Sequence, residues 1–139
     1  MSLRRDVRLR AWLDDGALVG LTYTVSRPTM LWLFYFAVND AVRSRGYGSR
    51  ILSHLRQEAE GRTIVLEIEP LDDGAPNIEQ RRRRRSFYER TGFTPTGYRI
   101  REGKQTYSVM ADGDFDPIAF HRLVHWFTLG LRPTSLMRD

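Results

Sequence analysis

"LWLFYFAVNDAVRSRGYGSRIL", residues 31–52, contains a strand, a turn and a helix start. Its first eight residues are apolar without a break, the pattern of a central strand buried on both faces. "NDAVRSRGYGS" (39–49) follows with polar and basic residues and two glycines. Beyond it Ile51, Leu52, Leu55 and Ala59 recur at helical spacing, and Gly61 is a natural C-terminal stop. Gly46 and Gly48 can take positive φ or let a ligand approach the backbone, and the first helical N–H groups open into the same space. Arg43, Arg45 and Arg50 add charge around it. Strand, glycine turn and helix N-terminus together suit a phosphate or pyrophosphate. Two glycines at such a place are also ordinary turn chemistry, and the pattern is neither GxGxxG nor GxxxxGK(S/T), so it carries no dinucleotide or P-loop reading.

Working outward, Val7, Leu9, Ala11 and Leu13 alternate with Arg8, Arg10 and Trp12, which predicts a strand over 7–13. A turn at "DDG" (14–16) makes 17–26 its hairpin partner. Downstream, "TIVLEIEP" (63–70) reads as a strand with Val65, Glu67 and Glu69 on one face. The loop 71–77 leads into a helix that runs to about Arg90 and ends at Gly92. Residues 93–100 and 105–111 form a closing hairpin, and Asp116–Pro117 is the N-cap and first-turn pair of a last helix over 117–130. The expected fold class is α+β: a mixed, mostly antiparallel sheet with interleaved helices, in a single domain over 1–139 with its core at about 7–112.

At 139 residues, 41% hydrophobic and 28% charged, the chain can bury a proper core. It holds no cysteine, which excludes disulfides, thiol nucleophiles and thiolate metal sites and agrees with a cytoplasmic location. The longest apolar run, 30–38, is too short to cross a bilayer, and the arginine-rich start lacks the apolar block of a secretory signal. His121 and His125 have metal-ligand spacing. "HRLVH" lacks the glutamate of HExxH and a third ligand, so no metal is expected and that helix, with Trp126, Phe127 and Leu131, reads as a packing or homodimer surface.

The net charge of +5 is concentrated in one place: residues 77–91 carry six arginines against two glutamates. Arg81 to Arg85 sweep right round a helix at about 100° per residue, so they cannot all face solvent while the helix packs. Stepping back from Tyr88 by three, four and seven gives Arg85, Arg84 and Arg81 on or beside one stripe, while Arg82 and Arg83 point to water. An inward arginine needs an anion. A phosphate ligand and salt bridges to acids such as Glu79, Asp72 or Asp73 both remain open.

Two features together resemble a known family. "AVNDAVRSRGYGSRIL" (37–52) is similar to the acyl-CoA-binding motif of the GNAT superfamily of N-acetyltransferases, with its Arg/Gln-x-x-Gly-x-Gly/Ala signature at Arg43, Gly46 and Gly48. "FYERTGF" (87–93) looks like the family's second motif, an aromatic pair on a helix ending in Gly-Phe. The resemblance implies acetyl-CoA as acyl donor and a primary amine, on a small molecule or peptide, as acceptor. The backbone of Ala37 and Val38 would pair with the pantetheine arm as an extra strand. Amides around Arg45, Gly46, Tyr47, Gly48 and Ser49 would hold the pyrophosphate. Tyr88 would protonate the departing thiolate, and Glu67 matches the position where some members carry the general base, with Glu69 as the alternative. Arg81, Arg84 and Arg85 are candidates for the CoA phosphates. The family's second motif often has Asn where Arg81 stands, and members usually carry a strand and two helices before the first hairpin, which this short form would lack. The acceptor site would then be open, or completed by the last helix or a second subunit. A catalytically inactive CoA-binding module and a nucleic-acid-binding protein using Arg81–Arg85 stay as alternatives.

Overall fold

A computed structural model describes residues 7–128 and 134–139, without the side chains of Asp40, Arg43 and Ser44. Its contacts divide into two compact units, residues 1–66 and 67–139.

In the first unit, β1 (Val7–Asp14), β2 (Ala17–Arg27) and β3 (Met30–Val38) form an antiparallel meander. A 3-10 helix (Asp40–Arg45) and helix α1 (Tyr47–Ala59) come next, and β4 (Thr63–Ile68) then pairs parallel with β3. Parallel neighbours need a crossover, and α1 supplies it. Ile51, Leu52, Leu55 and Ala59 are the buried stripe of α1, as their spacing predicts. The helix lies so close on β2 that a Cβ at Gly20 would stand 2.8 Å from Ile51 Cδ1 and 3.0 Å from the Ala37 carbonyl oxygen. At the far end Glu60 and Gly61 both take positive φ. Arg62 staples the turn there: Nε donates to the Ala59 carbonyl at 2.8 Å, and Nη1 to Ser26 Oγ and the Arg27 carbonyl at 2.6 and 2.7 Å.

The expectation of a β3 buried on both faces needs correction. Met30–Leu33 are buried, but Phe34 and Tyr35 are exposed and Phe36–Val38 half-buried. Pairing explains the change. The parallel ladder to β4 covers only Met30–Leu33, matched to Thr63–Leu66. On the other side Tyr23 faces Tyr35 while Thr24 faces Leu33, so Phe34 is the additional residue of a β-bulge. A bulge bends its strand and interrupts the ladder. An apolar run therefore reads as a buried strand in its first half only.

In the second unit, Glu67 and Ile68 finish β4, and α2 (Ile78–Arg90) begins after the loop. β5 (Thr94–Glu102) and β6 (Gln105–Ala111) close as the expected antiparallel hairpin. Helix α3 (Pro117–Phe127) starts as its sequence predicts, with Asp116 Oδ1 accepting from the Ala119 N–H at 3.0 Å. Its buried Phe120 joins the ring series Tyr98–Phe115–Phe120, each step 5.6 Å between centroids. The expected helix end at 130, and Leu131, lie outside the described residues. β7 (Thr134–Arg138) is not among the expected elements; it pairs antiparallel with β5. Its five residues bury none of their side chains fully, so no alternation marks it. The interleaved α+β class with mixed pairing is the one the structure has.

Candidate active site

The first unit brings together the end of β3 and the glycine turn. Ala37 and Val38 pair with Leu21 and Gly20 of β2, and within this unit no strand among the described residues pairs with their other edge. Asn39 fixes the chain just past the strand: its N–H donates to the Val19 carbonyl and its Nδ2 to the Leu18 carbonyl, both at 2.9 Å. Its Oδ1 accepts from the Ala41 N–H at 3.1 Å, which caps the 3-10 helix. Gly46 then turns the chain with φ 75°, ending one helix and starting the next. Among the described residues no side chain caps α1, and its first turn holds no acid, so the helix N-terminus presents N–H groups without a counter-charge of its own.

Around this turn Arg45, Ser49 and Arg50 are exposed and Gly48 is buried. The Arg50 guanidinium lies 5.3 Å from the centre of the Tyr47 ring. The Tyr47 hydroxyl donates to Asp14 Oδ2 at 2.5 Å, tying the start of α1 to the β1–β2 turn, and this bond holds the phenol above its ordinary pKa. The Arg43 side chain lies outside the described residues.

The second unit carries the two carboxylates, the tyrosine and the arginine run. Glu67 is half-buried in β4 and engaged with its surroundings. Strand alternation would put Glu69 on the same face, but β4 stops at Ile68 and Glu69 lies past its end. Its Oε2 meets Arg81 Nη2 at 2.8 Å and its Oε1 accepts from Asn77 Nδ2 at 3.3 Å.

Tyr88 is the one buried residue of α2, 6% exposed, and its ring meets Phe87 and Phe93 at 5.3 and 5.6 Å between centroids. Phe93 is anchored by its N–H donating to the Tyr88 carbonyl at 3.0 Å. The Tyr88 hydroxyl has no hydrogen-bond partner among the described residues. Burial pushes its pKa up to about 12, against a smaller lowering by Arg84.

Arginines in α2 sort by helical phase, though not entirely as the sequence suggests. Arg81 and Arg85 are half-buried and paired, Arg81 with Glu69 and Arg85 with Glu89, each at 2.8 Å. Arg84 is exposed and forms no ion pair among the described residues. The expectation that Arg82 is free in water needs correction. It is exposed but pairs with both Glu79 (2.6 Å) and Asp73 (2.7 Å), because the acidic loop before the helix lies within its reach. Of the last helix's two histidines, His121 Nε2 sits 3.2 Å from the Thr134 carbonyl of β7, and His125 is exposed.

Comparison with known proteins identifies the family and the fold. Residues 8–95, more than half of the chain, match the model of the acetyltransferase (GNAT) domain. A GNAT-family protein from Bacteroides thetaiotaomicron is 28% identical, with a TM-score of 0.64 over 91% of this chain and 72% of its own. The aminoglycoside 6'-N-acetyltransferase from Enterococcus faecium shares the fold at 21% identity, TM-score 0.59, over 81% of this chain and 77% of its own. So does the PaiA N-acetyltransferase from Thermoplasma acidophilum, solved in complex with coenzyme A, at 14% identity and TM-score 0.58 over 78% and 62%. Among curated proteins none matches this sequence.

Proposed function

This chain belongs to the GNAT acetyltransferase family, and on that premise we propose that it transfers an acetyl group from acetyl-CoA to a primary amine by direct attack. The observation that carries the reading is the end of β3. The bulge at Phe34 takes the strand out of its ladder with β4, and Ala37 and Val38 then run straight into a glycine turn and an uncapped helix N-terminus. Such an edge can accept an extended amide-bearing chain as an added strand, and the turn beyond it suits the phosphates. Amides of Arg45 to Ser49 would hold the pyrophosphate, with Arg45 and Arg50 adding charge. Of the arginines on the tyrosine's side of α2, Arg84 is the one without an ion pair among the described residues, and its guanidinium would meet a phosphate.

The amine sets the chemical problem. With a lysine-like pKa near 10.4, about one part in a few thousand is neutral at pH 7. Glu67 would take the proton, directly or through water, and the amine nitrogen then attacks the thioester carbonyl carbon as the C–S bond breaks. Tyr88 would meet the charge growing on sulfur. Its buried hydroxyl, near pKa 12, stays protonated throughout the physiological range. A thiolate of pKa about 8.5 does not outcompete such a phenolate for its proton. The tyrosine therefore works as a standing hydrogen-bond donor to the leaving sulfur, and the proton that ends on CoA comes from the amine. This refines the role of full proton donor that the motif implies.

The inactive-module reading predicts CoA binding without thiol release, and a nucleic-acid reading needs a row of free cations. Arg81, Arg82 and Arg85 are already paired within their own unit, which argues against the second. No helix among the described residues is long and apolar enough to cross a membrane. Thermal denaturation with acetyl-CoA, followed by free-thiol release across a panel of amines, tests the proposal. A rise in Tm and thiol release with at least one amine are expected; no stabilisation at millimolar acetyl-CoA overturns it.

A further inference from the structure

Arg81 belongs to the helical stripe that offers arginines to the CoA phosphates, yet its guanidinium is almost fully engaged inside the second unit. Nε donates to Asn77 Oδ1 at 2.8 Å, Nη1 to the Pro70 carbonyl at 2.9 Å, and Nη2 pairs with Glu69 Oε2 at 2.8 Å. Asn77 closes the ring by donating from Nδ2 to Glu69 Oε1 at 3.3 Å. The Arg81 side chain is only 18% exposed, unlike Arg82 at 49%. The guanidinium spreads its donors over three nitrogens of one rigid plane, so each partner is held at a set place and angle. An ammonium has its three donors on one atom at the end of a flexible stem and fixes the same partners less well.

The chain positions of the partners give the cluster its meaning. Glu69 and Pro70 directly follow β4, two and three residues after Glu67. Asn77 and Arg81 open α2, whose Tyr88 lies two turns further on. We infer that Arg81 is a positioning residue: its three-way contact locks the end of β4 to the first turn of α2 and so fixes Glu67 and Tyr88 relative to each other. Glu69 is then the counter-ion of this clamp, with both oxygens occupied, and the base role falls to Glu67. The inference rests on the proposed acetyl transfer for its consequence, though not for its geometry.

Arg81→Gln, Arg81→Lys, Glu69→Gln and the double variant Arg81→Gln/Glu69→Gln test it with two readouts. The first is amide hydrogen exchange at Glu67–Glu69, which needs no substrate. It should quicken in Arg81→Gln and recover only in part in Arg81→Lys; unchanged exchange overturns the clamp itself. The second separates kcat from KM. Loss of positioning should lower kcat roughly ten- to hundredfold, the scale of a small misplacement of reacting groups, with KM and thermal stabilisation for acetyl-CoA unchanged. Glu69→Gln should fall by a similar factor, and the double variant no further than the worse single one, because both act through one contact. A raised KM for acetyl-CoA with kcat kept would make Arg81 a phosphate ligand and sink the inference. So would a Glu69→Gln loss far beyond that of Arg81→Gln and additive with it, since Glu69 would then be the base. A wild-type protein that releases thiol with no amine removes the proposed function and the positioning role together, while the exchange data still report the clamp.

Discussion

The glycine turn at 46–49 and helix α2 both gather positive charge, but they hold it in opposite ways. In the turn, the resource is the backbone: Gly46 takes φ 75°, α1 begins uncapped, and Arg45 and Arg50 stay exposed. In α2 five arginine side chains stand in a row, yet Arg81, Arg82 and Arg85 are committed to carboxylates of the same unit. On the tyrosine's side that leaves one buried phenol and the guanidinium of Arg84, which has no ion pair among the described residues. A count of arginines therefore overstates what the helix can offer an anion, while a count of charges understates what the turn can offer.

If the two regions divide the labour in this way, their variants should fail differently. Tyr88→Phe should show the largest effect, a fall in kcat of roughly ten- to a thousandfold, the range for one donor at a developing charge. Thermal stabilisation by acetyl-CoA should be kept, because the phosphates are held elsewhere. A variant with normal turnover would leave α2 without a chemical role. The same residue makes a stability prediction at high pH. Its folded pKa of about 12 lies above the ordinary 10.0 because burial disfavours the phenolate. Below pH 10 both states keep the proton. As pH climbs from 10 towards 12 the unfolded chain ionises first, so stability should drop by up to roughly 3 kcal/mol. Chemical denaturation of wild type against Tyr88→Phe across that window checks it, and the variant should lose less.

Gly46→Ala should do the converse. Nothing lies within 4 Å of the Cβ it would gain, so its cost is that of a left-handed residue, about 1–2 kcal/mol. Relief of that strain moves the turn, and the expected result is weaker acetyl-CoA binding, by about tenfold for 1.4 kcal/mol, with kcat at saturation nearly unchanged. Isothermal titration together with saturation kinetics separates the two effects.

These regions are not equally legible in the sequence. The stripe of α1, the turn glycines, the Asp116 cap and the β5–β6 hairpin obey local rules, because each rests on neighbours a few positions apart. The halves of β3 cannot be told apart by composition, since "MLWL" and "FYFAV" are equally apolar and the difference comes from where β4 stops and the bulge falls. β7 stays hidden because its pairing with β5 is long-range and its side chains bury little. Tyr88 is marked by its motif, whereas its burial, on which the role proposed for it depends, is stated by no motif. The Arg81 contacts are hidden for the same reason: Glu69 reads as a strand residue until the strand is seen to end at Ile68.

The smallest expected difference tests the helical phase most directly. Arg83 and Arg84 are adjacent, alike in charge, exposed, and without ion pairs among the described residues. Of the two, Arg84 lies about one turn before Tyr88, close enough for its charge to act on the phenol. If one phosphate of the cofactor rests on that side, Arg84→Gln should raise KM for acetyl-CoA about fivefold, roughly 1 kcal/mol for one exposed charge-assisted contact. Arg83→Gln removes the same net charge from a different phase and should change KM by less than about twofold, as exposed charges usually do. Raising the salt concentration should narrow the gap, since the Arg84 contact is screened and the Arg83 contribution is near zero already. Equal losses from both variants would mean that the helix acts through its total charge, and the phase reading of α2 would fall with them.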